Sequence, residues 1–418
     1  MKDKLIDALK NNVVTIIYAV LCILAIYFSG QPTTFIVTEI VTRLGRNTII
    51  ILSLLLPVLC GMGLNFGIVL GAMSAAVSLI VITNFSVEGL PGILLCFVIA
   101  TFLSIALGFV LGIFFNKVKG QEMIAGMIVG FFASGIFSLI FLFLVGSIIP
   151  MRSSEILLSE GVGVRNTIRL QDGTSQVIDN IWKMPMAEFI KYAFLLLLAI
   201  YIFTCLYKVL KSKVSIKSAI LSKLLILVII VGIVFLFSIY NESFRFILNF
   251  TTVPIVTFLL IGLVALLVVF LNKTKLGQDI RTVGQSMHIA TTAGINVNKI
   301  RIISVIISTV IASWGQIIFI QNMGNLNTYT SHDNVGIYAI AALLVGGASI
   351  SKATIPQVFI GAVLFHTLFF ISPMAGNELF GDPMVGEFFR IFLCYLVIAF
   401  SLAVYAWQRI KDKNKLSA

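Results

Sequence analysis

The sequence predicts an all-α, polytopic membrane protein with about 10–12 transmembrane or half-membrane helices. Of its 418 residues, 59% are hydrophobic and only 11% are charged, whereas soluble chains carry about 25% charged residues. Since a span takes roughly 20 apolar residues, the apolar residues suffice for about twelve spans. This surplus of apolar surface excludes a soluble enzyme and a disordered or fibrous protein. The whole chain, 1–418, is expected to form a single transmembrane domain.

Apolar segments follow one another along the chain. All are expected to be helices, because lipid offers no partner to an unpaired backbone group. The first is interpreted as a retained helix and not a signal peptide, since no clear cleavage pattern follows it. The segments lie near residues 13–29, 47–61, 66–83, 91–115, 123–149, 188–207, 221–240, 252–271, 302–321, 337–349, 354–372 and 388–408.

Basic residues orient these spans. With a cytoplasmic N-terminus, most Lys and Arg fall in connectors on the inside, as the positive-inside rule requires. An even number of spans then places both termini in the cytoplasm. This distribution also accounts for the net charge of +12 without nucleic-acid binding, since no basic stripe is interleaved with aromatic residues. The smaller outside set is Arg43, Arg46, Arg152, Arg165, Arg169, Lys183 and Arg245.

Two connectors are long. Residues 150–187 fall outside and mix both charge signs with Gly, Ser and Asn. This extracytoplasmic loop is either a small cap or docking surface, or a flexible loop. Residues 272–301 fall inside and are too polar to span the membrane.

Two glycine-rich interruptions occur in corresponding positions of the two halves. The first, residues 60–76, and the second, residues 343–364, cluster glycines around a few polar side chains. Paired interruptions of this kind point to a central transport pathway, while the alternative is close helix packing through small residues. If the interruptions line a transport pathway, Asn65 is expected to lie beside the route of the solute. The pathway candidates are Asn65, Phe66, Gly67, Gln316, Gly346, Gly347 and Ser349.

The remaining polar residues inside spans allow two readings each. Gln316 and Trp314 either line a cavity or pack with satisfied hydrogen bonds, and for His366 a packed neutral histidine is favoured over a proton relay. Glu122, Glu188 and Glu387 lie at span edges and are expected to anchor at the interface.

Other chemistry finds little support in the sequence. The five cysteines lie in apolar runs and are interpreted as small buried hydrophobes, so neither a disulfide nor a metal site is expected. The chain has no phosphate-binding loop and no hydrolase motif. We therefore expect no enzyme activity and no cofactor in this chain.

The 272–301 segment has helical periodicity. Ile280, Val283, Met287 and Thr291 recur at three- and four-residue steps and predict a short helix with one less polar face. The small residues Ala290, Ala293 and Gly294 predict its end. Such a helix either enters a groove on a partner or lies flat on the membrane.

The run TKLGQDIRTVGQSMHIATTAGINVNKIRIISVIIST resembles the coupling-helix region of ABC importer permeases of the sugar, nucleoside and branched-chain amino acid superfamily. Three other stretches resemble the same family in the same order. The resemblance covers roughly residues 45–408. The three stretches are GLNFGIVLGAMSA, QEMIAGMIVGFFASGI and DNVGIYAIAALLVGGASISKATIPQVFIGAVL.

The resemblance implies a permease subunit in a bacterial cytoplasmic (inner) membrane. It implies a second permease copy or a sister permease, a cytoplasmic ABC ATPase that binds ATP and Mg, and an extracytoplasmic solute-binding protein. The solute would be a nucleoside or a simple sugar. Two other classes remain open: a single-chain secondary carrier or channel, and a membrane scaffold. The ATPase would act on a cytoplasmic coupling helix through Gly284, His288, Ala290, Ala293, Gly294 and Ile295.

Overall fold

The computed structural model describes residues 13–153, 156–159, 161–170, 174–212 and 223–416. Predictions that concern the N-terminal Lys2, Lys4 and Lys10, or the basic residues Lys213 and Lys217, lie outside the described residues.

The described chain is almost entirely helical, as predicted. Within the described residues, nine helical stretches are long and apolar enough to cross a membrane, and a pair bent by 107°, α9 with α10, would make a tenth. Two further apolar helices, α1 and α15, are shorter. The helices are α1 (Val13–Phe28), α2 (Thr33–Leu52), α3 (Leu55–Leu59), α4 (Val69–Asn84), α5 (Gly89–Lys117), α6 (Glu122–Leu139), α7 (Val177–Ile181), α8 (Met186–Ser212), α9 (Lys223–Tyr240), α10 (Glu242–Phe250), α11 (Ile255–Lys273), α12 (Lys275–Gln285), α13 (Met287–Thr292), α14 (Val297–Met323), α15 (Val335–Val345), α16 (Ile355–Phe380) and α17 (Pro383–Leu416).

Short irregular elements and strands complete the fold. A 3₁₀ turn, Phe66–Ile68, precedes α4, and a π turn, Ile140–Leu144, follows α6. Four three-residue strands form two antiparallel pairs, β1 with β4 and β2 with β3. Their bounds are β1 (Thr167–Arg169), β2 (Lys183–Pro185), β3 (Thr252–Pro254) and β4 (Asn325–Asn327).

The described residues group into two compact units. The smaller unit comprises Gln31–Thr42 and the described part of Asn180–Ile255, that is, the start of α2, the helices α8 to α10 and the β2–β3 pair. Its strands are extended by a hydrogen bond from the Met186 N–H to the Thr251 carbonyl, 2.8 Å. The larger unit contains the other elements.

Helix α14 forms the centre of the larger unit and packs mainly against α4 and α5. Two glycines four residues apart let α5 approach it closely. A Cβ on Gly108 would lie 3.0 Å from the Ile306 Cα, and one on Gly112 would lie 2.9 Å from the Ile302 Cα. This is the small-residue packing typical of membrane helices. With 27 residues at 1.5 Å each, the two ends of α14 are about 40 Å apart.

One end of α14 carries the polar segment that we call the strap, residues 156–159, 161–170 and 174–179. Strand β1 of the strap pairs with β4, the Tyr329 hydroxyl donates to the Val164 carbonyl over 2.7 Å, and the Leu170 N–H donates to the Gly324 carbonyl over 3.0 Å. The described part of the strap is therefore held by hydrogen bonds at this end of α14. We call this end of α14 the strap end.

Candidate functional site

A cavity of about 240 Å³ lies at the strap end, beside the last turns of α14. Its lining combines an apolar majority with several polar groups and carries no formal charge among the described residues, apart from the ionisable ring of His366. The polar groups are amides and hydroxyls, which both donate and accept hydrogen bonds. They belong to Asn47, Gln316, Asn325, Asn327, Asn334, Thr330 and Ser331.

Aromatic rings supply the apolar part of the same lining. Phe319 and Tyr338 line the cavity together with His366, which is 7% exposed and packs edge-on against the Phe365 ring at 5.1 Å between centroids. The nearby cation of Arg46 is not in the lining and lies over the Phe319 ring, 5.8 Å from its centroid. The cavity can thus offer both ring faces and neutral hydrogen-bonding groups to a solute.

Gln316 is the sequence candidate that the structure places in this cavity. Its side chain is fully buried, and its Nε2 donates to the Ser331 carbonyl over 2.9 Å. Its Oε1 is buried and accepts no hydrogen bond from any described residue, so it is an unpaired acceptor next to the cavity. The neighbouring Trp314 instead donates from Nε1 to the Thr101 hydroxyl over 2.8 Å and is packed between helices.

Asn65 and its neighbours lie elsewhere. Asn65 is 2% exposed; its Oδ1 accepts from the Gly67 N–H over 2.9 Å and its Nδ2 donates to the Ser308 hydroxyl on α14 over 3.3 Å. It therefore caps the 3₁₀ turn and does not line the 240 Å³ cavity. Phe66 lines a separate space of about 40 Å³, and a Cβ on Gly67 would overlap Leu111.

The second glycine interruption is a close backbone contact. A Cβ on Gly346 would overlap the Gln357 carbonyl, and one on Gly361 would overlap the Ala342 carbonyl. Gly347 accepts a hydrogen bond at its carbonyl from the Gln357 Nε2, 2.7 Å. Ser349 closes a turn, since its Oγ accepts from the Lys352 N–H over 3.1 Å. These candidates pack α15 against α16 and do not line the larger cavity.

The two interruptions touch each other. Gly63 has a left-handed φ of +72°, and a Cβ there would lie 3.0 Å from the Met123 Sδ and 3.2 Å from the Ile350 Cγ2. Met123 belongs to the first turn of α6, and Ile350 belongs to the second interruption. The corresponding breaks of the two halves are therefore packed into one contact, with α6 beside it.

The predicted single helix of the 272–301 segment is wrong in one respect, because it is two helices. Ser286 has an extended backbone between α12 and α13, and its hydroxyl accepts from the Ile289 N–H over 3.3 Å. Ile280 and Val283 are buried, whereas Thr291 is exposed. A hydroxyl side chain that caps a helix start explains the break.

The end of α13 is an exposed tip, which we define as residues 288–289 and 291–294. Ala293 and Gly294 stop the helix as predicted, and Gly294 has a φ of +78° with open space around it. His288 is exposed, Ile295 is half-buried and Ala290 is completely buried.

Gly284 lies away from the tip and contacts the first interruption. A Cβ on Gly284 would overlap the Leu59 carbonyl, and one on Gly61, at φ +74°, would lie 2.9 Å from the Gly284 Cα. The backbone of α12 thus rests directly on the break that follows α3.

Comparison with known proteins identifies the family. The model of the family described as "Branched-chain amino acid transport system / permease component" matches residues 36–401, most of the chain. The chain belongs to this permease family. It is also 31% identical over 103 residues to the "Probable ABC transporter permease protein YphD" of Escherichia coli (strain K12), a match that spans 25% of the chain and 31% of that relative. No solved structure matches the chain.

The permease contains a buried ion pair that includes Glu122, a residue that the sequence predicted to lie at the membrane interface. Glu122 is 6% exposed and Arg301 is fully buried, and the Arg301 Nη2 donates to the Glu122 Oε1 over 2.5 Å. The Arg301 Nε also donates to the Asn116 Oδ1 over 2.9 Å, and the Gly120 N–H donates to the Glu122 Oε2 over 2.9 Å. The pair and its hydrogen bonds join α5, α6 and α14. In the sequence, Glu122 and Arg301 are only two opposite charges at the edges of predicted spans, and nothing indicates that they pair.

A second buried carboxylate of the permease, Asp179, was not singled out in the sequence. It accepts hydrogen bonds from the Thr257 hydroxyl over 2.5 Å, the Gln321 Nε2 over 3.0 Å and the Asn322 Nδ2 over 2.7 Å. These neutral donors tie the strap to the end of α14. Because the sequence around Asp179 is polar, no sequence pattern distinguishes this residue from a solvated one.

Proposed function

We propose that this chain is the membrane-spanning permease subunit of an ABC importer that moves a small neutral polar solute, a nucleoside or a simple sugar, into the cytoplasm. The subunit lies in a bacterial cytoplasmic membrane with both termini inside. ATP hydrolysis takes place in a separate cytoplasmic ATPase, and an extracytoplasmic binding protein delivers the solute at the strap end. A second copy or a sister permease completes the membrane part.

The contact between Gly284 and Gly61 is the observation that carries this proposal. It connects α12, which leads directly into α13 and its exposed tip, to the break in the membrane helices. Non-helical backbone at membrane depth is tolerated only where it is buried in protein or lines a water-filled path. A displacement of the tip is therefore transmitted to the first glycine-rich interruption, where the membrane helices are already broken.

The lining of the 240 Å³ cavity favours a neutral solute. A nucleoside or sugar presents hydroxyls and ring faces, which match amides, hydroxyls and aromatic rings. A branched-chain amino acid is a zwitterion, and burial of its ammonium and carboxylate without charged partners would cost several kcal/mol. The unpartnered Gln316 Oε1 is an acceptor for a solute hydroxyl.

The test begins with the full chain, tagged and purified from membranes of its own host. We expect an ATPase to co-purify, and vesicles that hold the complex to take up [³H]uridine or [¹⁴C]ribose, but not [¹⁴C]leucine, only when ATP is present on the ATPase side. Ala293→Glu at the tip should abolish both ATPase capture and uptake, because a bulky charge replaces a small exposed side chain. Ser243→Glu, an exposed position on α10, is the matched control and should change neither.

Three results would contradict the proposal. Gradient-driven uptake by the chain alone, without nucleotide, would favour a secondary carrier or channel. Normal ATPase capture by Ala293→Glu would remove the tip from the interface. ATP-driven uptake of leucine in preference to the neutral solutes would refute the solute class while leaving the importer role intact.

A further inference from the structure

The Glu122–Arg301 pair lies within an apolar cluster at the α12–α13 end of the larger unit. The cluster joins Cys60 of the first interruption, Phe115 of α5, Ala125 of α6 and Val305 of α14 to α12 and α13. The buried members of α12 and α13 are Ile280, Val283 and Ala290. Among the described residues, the Arg301 guanidinium donates hydrogen bonds only to Glu122, to the Asn116 side chain and to the Phe115 carbonyl.

Arg301 is tied closely to the tip. The Ile295 N–H donates to the Ala290 carbonyl over 3.0 Å, and the Asn296 side chain caps α14 by accepting from the Lys299 N–H over 3.0 Å. Only four residues separate α13 from α14, and Arg301 lies in the second turn of α14. A displacement of α13 is therefore passed to Arg301 through capped backbone, with no flexible linker between.

Glu122 is tied just as closely to the interruptions. It is the first residue of α6, and the next residue, Met123, is the one that packs on Gly63 opposite Ile350. A displacement of Glu122 along the ion pair therefore changes the contact at which the two interruptions meet.

We infer that Glu122 and Arg301 are positioning residues. Their ion pair makes the start of α6 move together with the start of α14. A movement of α12–α13 is thereby transmitted to the contact between Gly63, Met123 and Ile350. The Gly284–Gly61 contact moves one side of the first interruption and the ion pair moves the other. This inference rests on the proposed function, because it assigns the pair a step between the ATPase and the solute path.

Apolar packing alone sets no preferred direction for such a movement, because dispersion contacts are individually weak and non-directional. A charge-assisted bond fixes both distance and direction, and a buried guanidinium that loses its carboxylate has no solvent to replace it. The pair therefore holds α6 and α14 in register while the surrounding apolar contacts change.

The test uses the full chain in membrane vesicles, with no ATPase, and a cysteine reporter. The five native cysteines are replaced by serine or alanine, and Met123→Cys, half-buried at the contact, is labelled with a membrane-permeant maleimide. Gly284→Ala displaces α12 from the interruption, and Ala290→Val is a second, milder displacement of α13. Ile124→Cys, 62% exposed one residue further on, is the matched reporter that faces away from Gly63.

The ion pair is then replaced by apolar residues in the double variant Glu122→Leu/Arg301→Met. Removal of both charges leaves none unpaired, so folding is preserved; Glu122→Gln/Arg301→Gln is a second replacement, and monodisperse elution verifies both. With the pair intact, each displacement should change the labelling rate of Met123→Cys about fivefold or more, a coupling of the usual size for linked sites. With either replacement the change should fall below about twofold, and Ile124→Cys should not respond.

Equal changes with and without the ion pair would overturn the inference, as would no change with the pair intact. A second arm measures the complex: the replacements should keep ATPase capture and the KM for the solute but lower uptake per ATP about tenfold. If the labelling arm succeeds and the wild-type complex shows no ATP-driven uptake, the proposed function fails and the mechanical role of the pair remains. If the wild type transports and the labelling arm fails, only the inference is refuted.

Discussion

The two ends of α14 are held by different chemistry. At the α12–α13 end a buried ion pair and an apolar cluster fix the helix, and a contact between two glycine backbones lies beside them. At the strap end neutral amides and hydroxyls hold it around Asp179, next to a cavity in which Gln316 keeps an unused acceptor. One end is an apolar cluster around a single ion pair, while the other combines neutral polar groups with a cavity.

This difference matches two separate tasks of a permease. A polar solute must find partners on its way, yet must leave again, so neutral hydrogen bonds of about 0.5–1.5 kcal/mol each are suited to the strap end. Mechanical transmission requires the opposite, since a contact that rearranges under load transmits no displacement. The ion pair and the glycine contact supply that rigidity at the other end.

The largest expected difference between the ends is in stability. Glu122→Ala leaves the Arg301 charge buried and unpaired and should lower the free energy of unfolding by about 3–5 kcal/mol. Asp179→Ala leaves three neutral donors at the strap end and should cost about 1–3 kcal/mol. Reversible unfolding in mixed micelles measures both. Equal losses would show that the two ends are not held by different kinds of interaction.

The next effect concerns the glycine contact. Gly284→Ala inserts a methyl group against the Leu59 carbonyl and should lower uptake about tenfold or more while ATPase capture persists, because the tip is unchanged. Gly262→Ala is the matched control, because Gly262 lies inside α11, away from the tip, with open space around it. If the two variants transport equally well, close approach at Gly284 has no part in transmission.

Sequence reasoning predicted the fold well because lipid restricts it so strongly. Most apolar segments became helices near their predicted bounds, the glycine-rich runs became real interruptions, and Cys22, Cys60, Cys96 and Cys394 are buried. The segment predicted at 47–61 was wrong at its start: α2 begins at Thr33, so Arg43 and Arg46 lie in a helix and not in a connector. The helix stop at Gly294 followed from small residues that end a periodic pattern. These features depend on local composition, which a single chain displays.

Side-chain partners were the part that the sequence could not supply. For Asn65 the sequence showed a polar group among glycines and predicted a pathway residue, which stays a prediction; that its amide caps a turn is visible only in the structure. Arg301 and Glu122 are separated by 179 residues, and no local pattern links them. The break at Ser286 was missed because a continuous three- and four-residue spacing of apolar residues concealed a helix cap.

Solute recognition at the strap end gives a third, smaller effect. Gln316→Leu keeps the approximate volume but removes the free Oε1, so the KM for uptake should rise about tenfold with kcat unchanged, the value of one hydrogen bond. Trp314→Phe is the control, because the Trp314 indole bonds to Thr101 and does not line the cavity. A fall in kcat at constant KM would place Gln316 in transmission and not in binding.

The smallest effect is on the pH dependence of stability, and only the strap end should show it. Burial lowers the pKa of His332 below its ordinary value of 6.5, and Asp333, with its Oδ1 3.5 Å from the Nε2, offsets this only in part. The folded protein therefore keeps His332 neutral where the unfolded chain already binds a proton. Its contribution to stability is complete above about pH 6.5 and is lost as the pH falls through the folded pKa.

His332→Gln should therefore flatten the loss of thermal stability between neutral and mildly acidic pH, measured as the apparent unfolding temperature in detergent at two pH values. Its other close neighbour, the Phe137 ring at 4.8 Å between centroids, carries no charge and does not titrate. His288→Gln, at the exposed tip of the other end, is the control and should leave the wild-type slope unchanged, because this side chain is surrounded by solvent in the folded chain as well. An unchanged slope in His332→Gln would mean that the carboxylates alone set the acid sensitivity, and that burial without partners at position 332 has no energetic consequence.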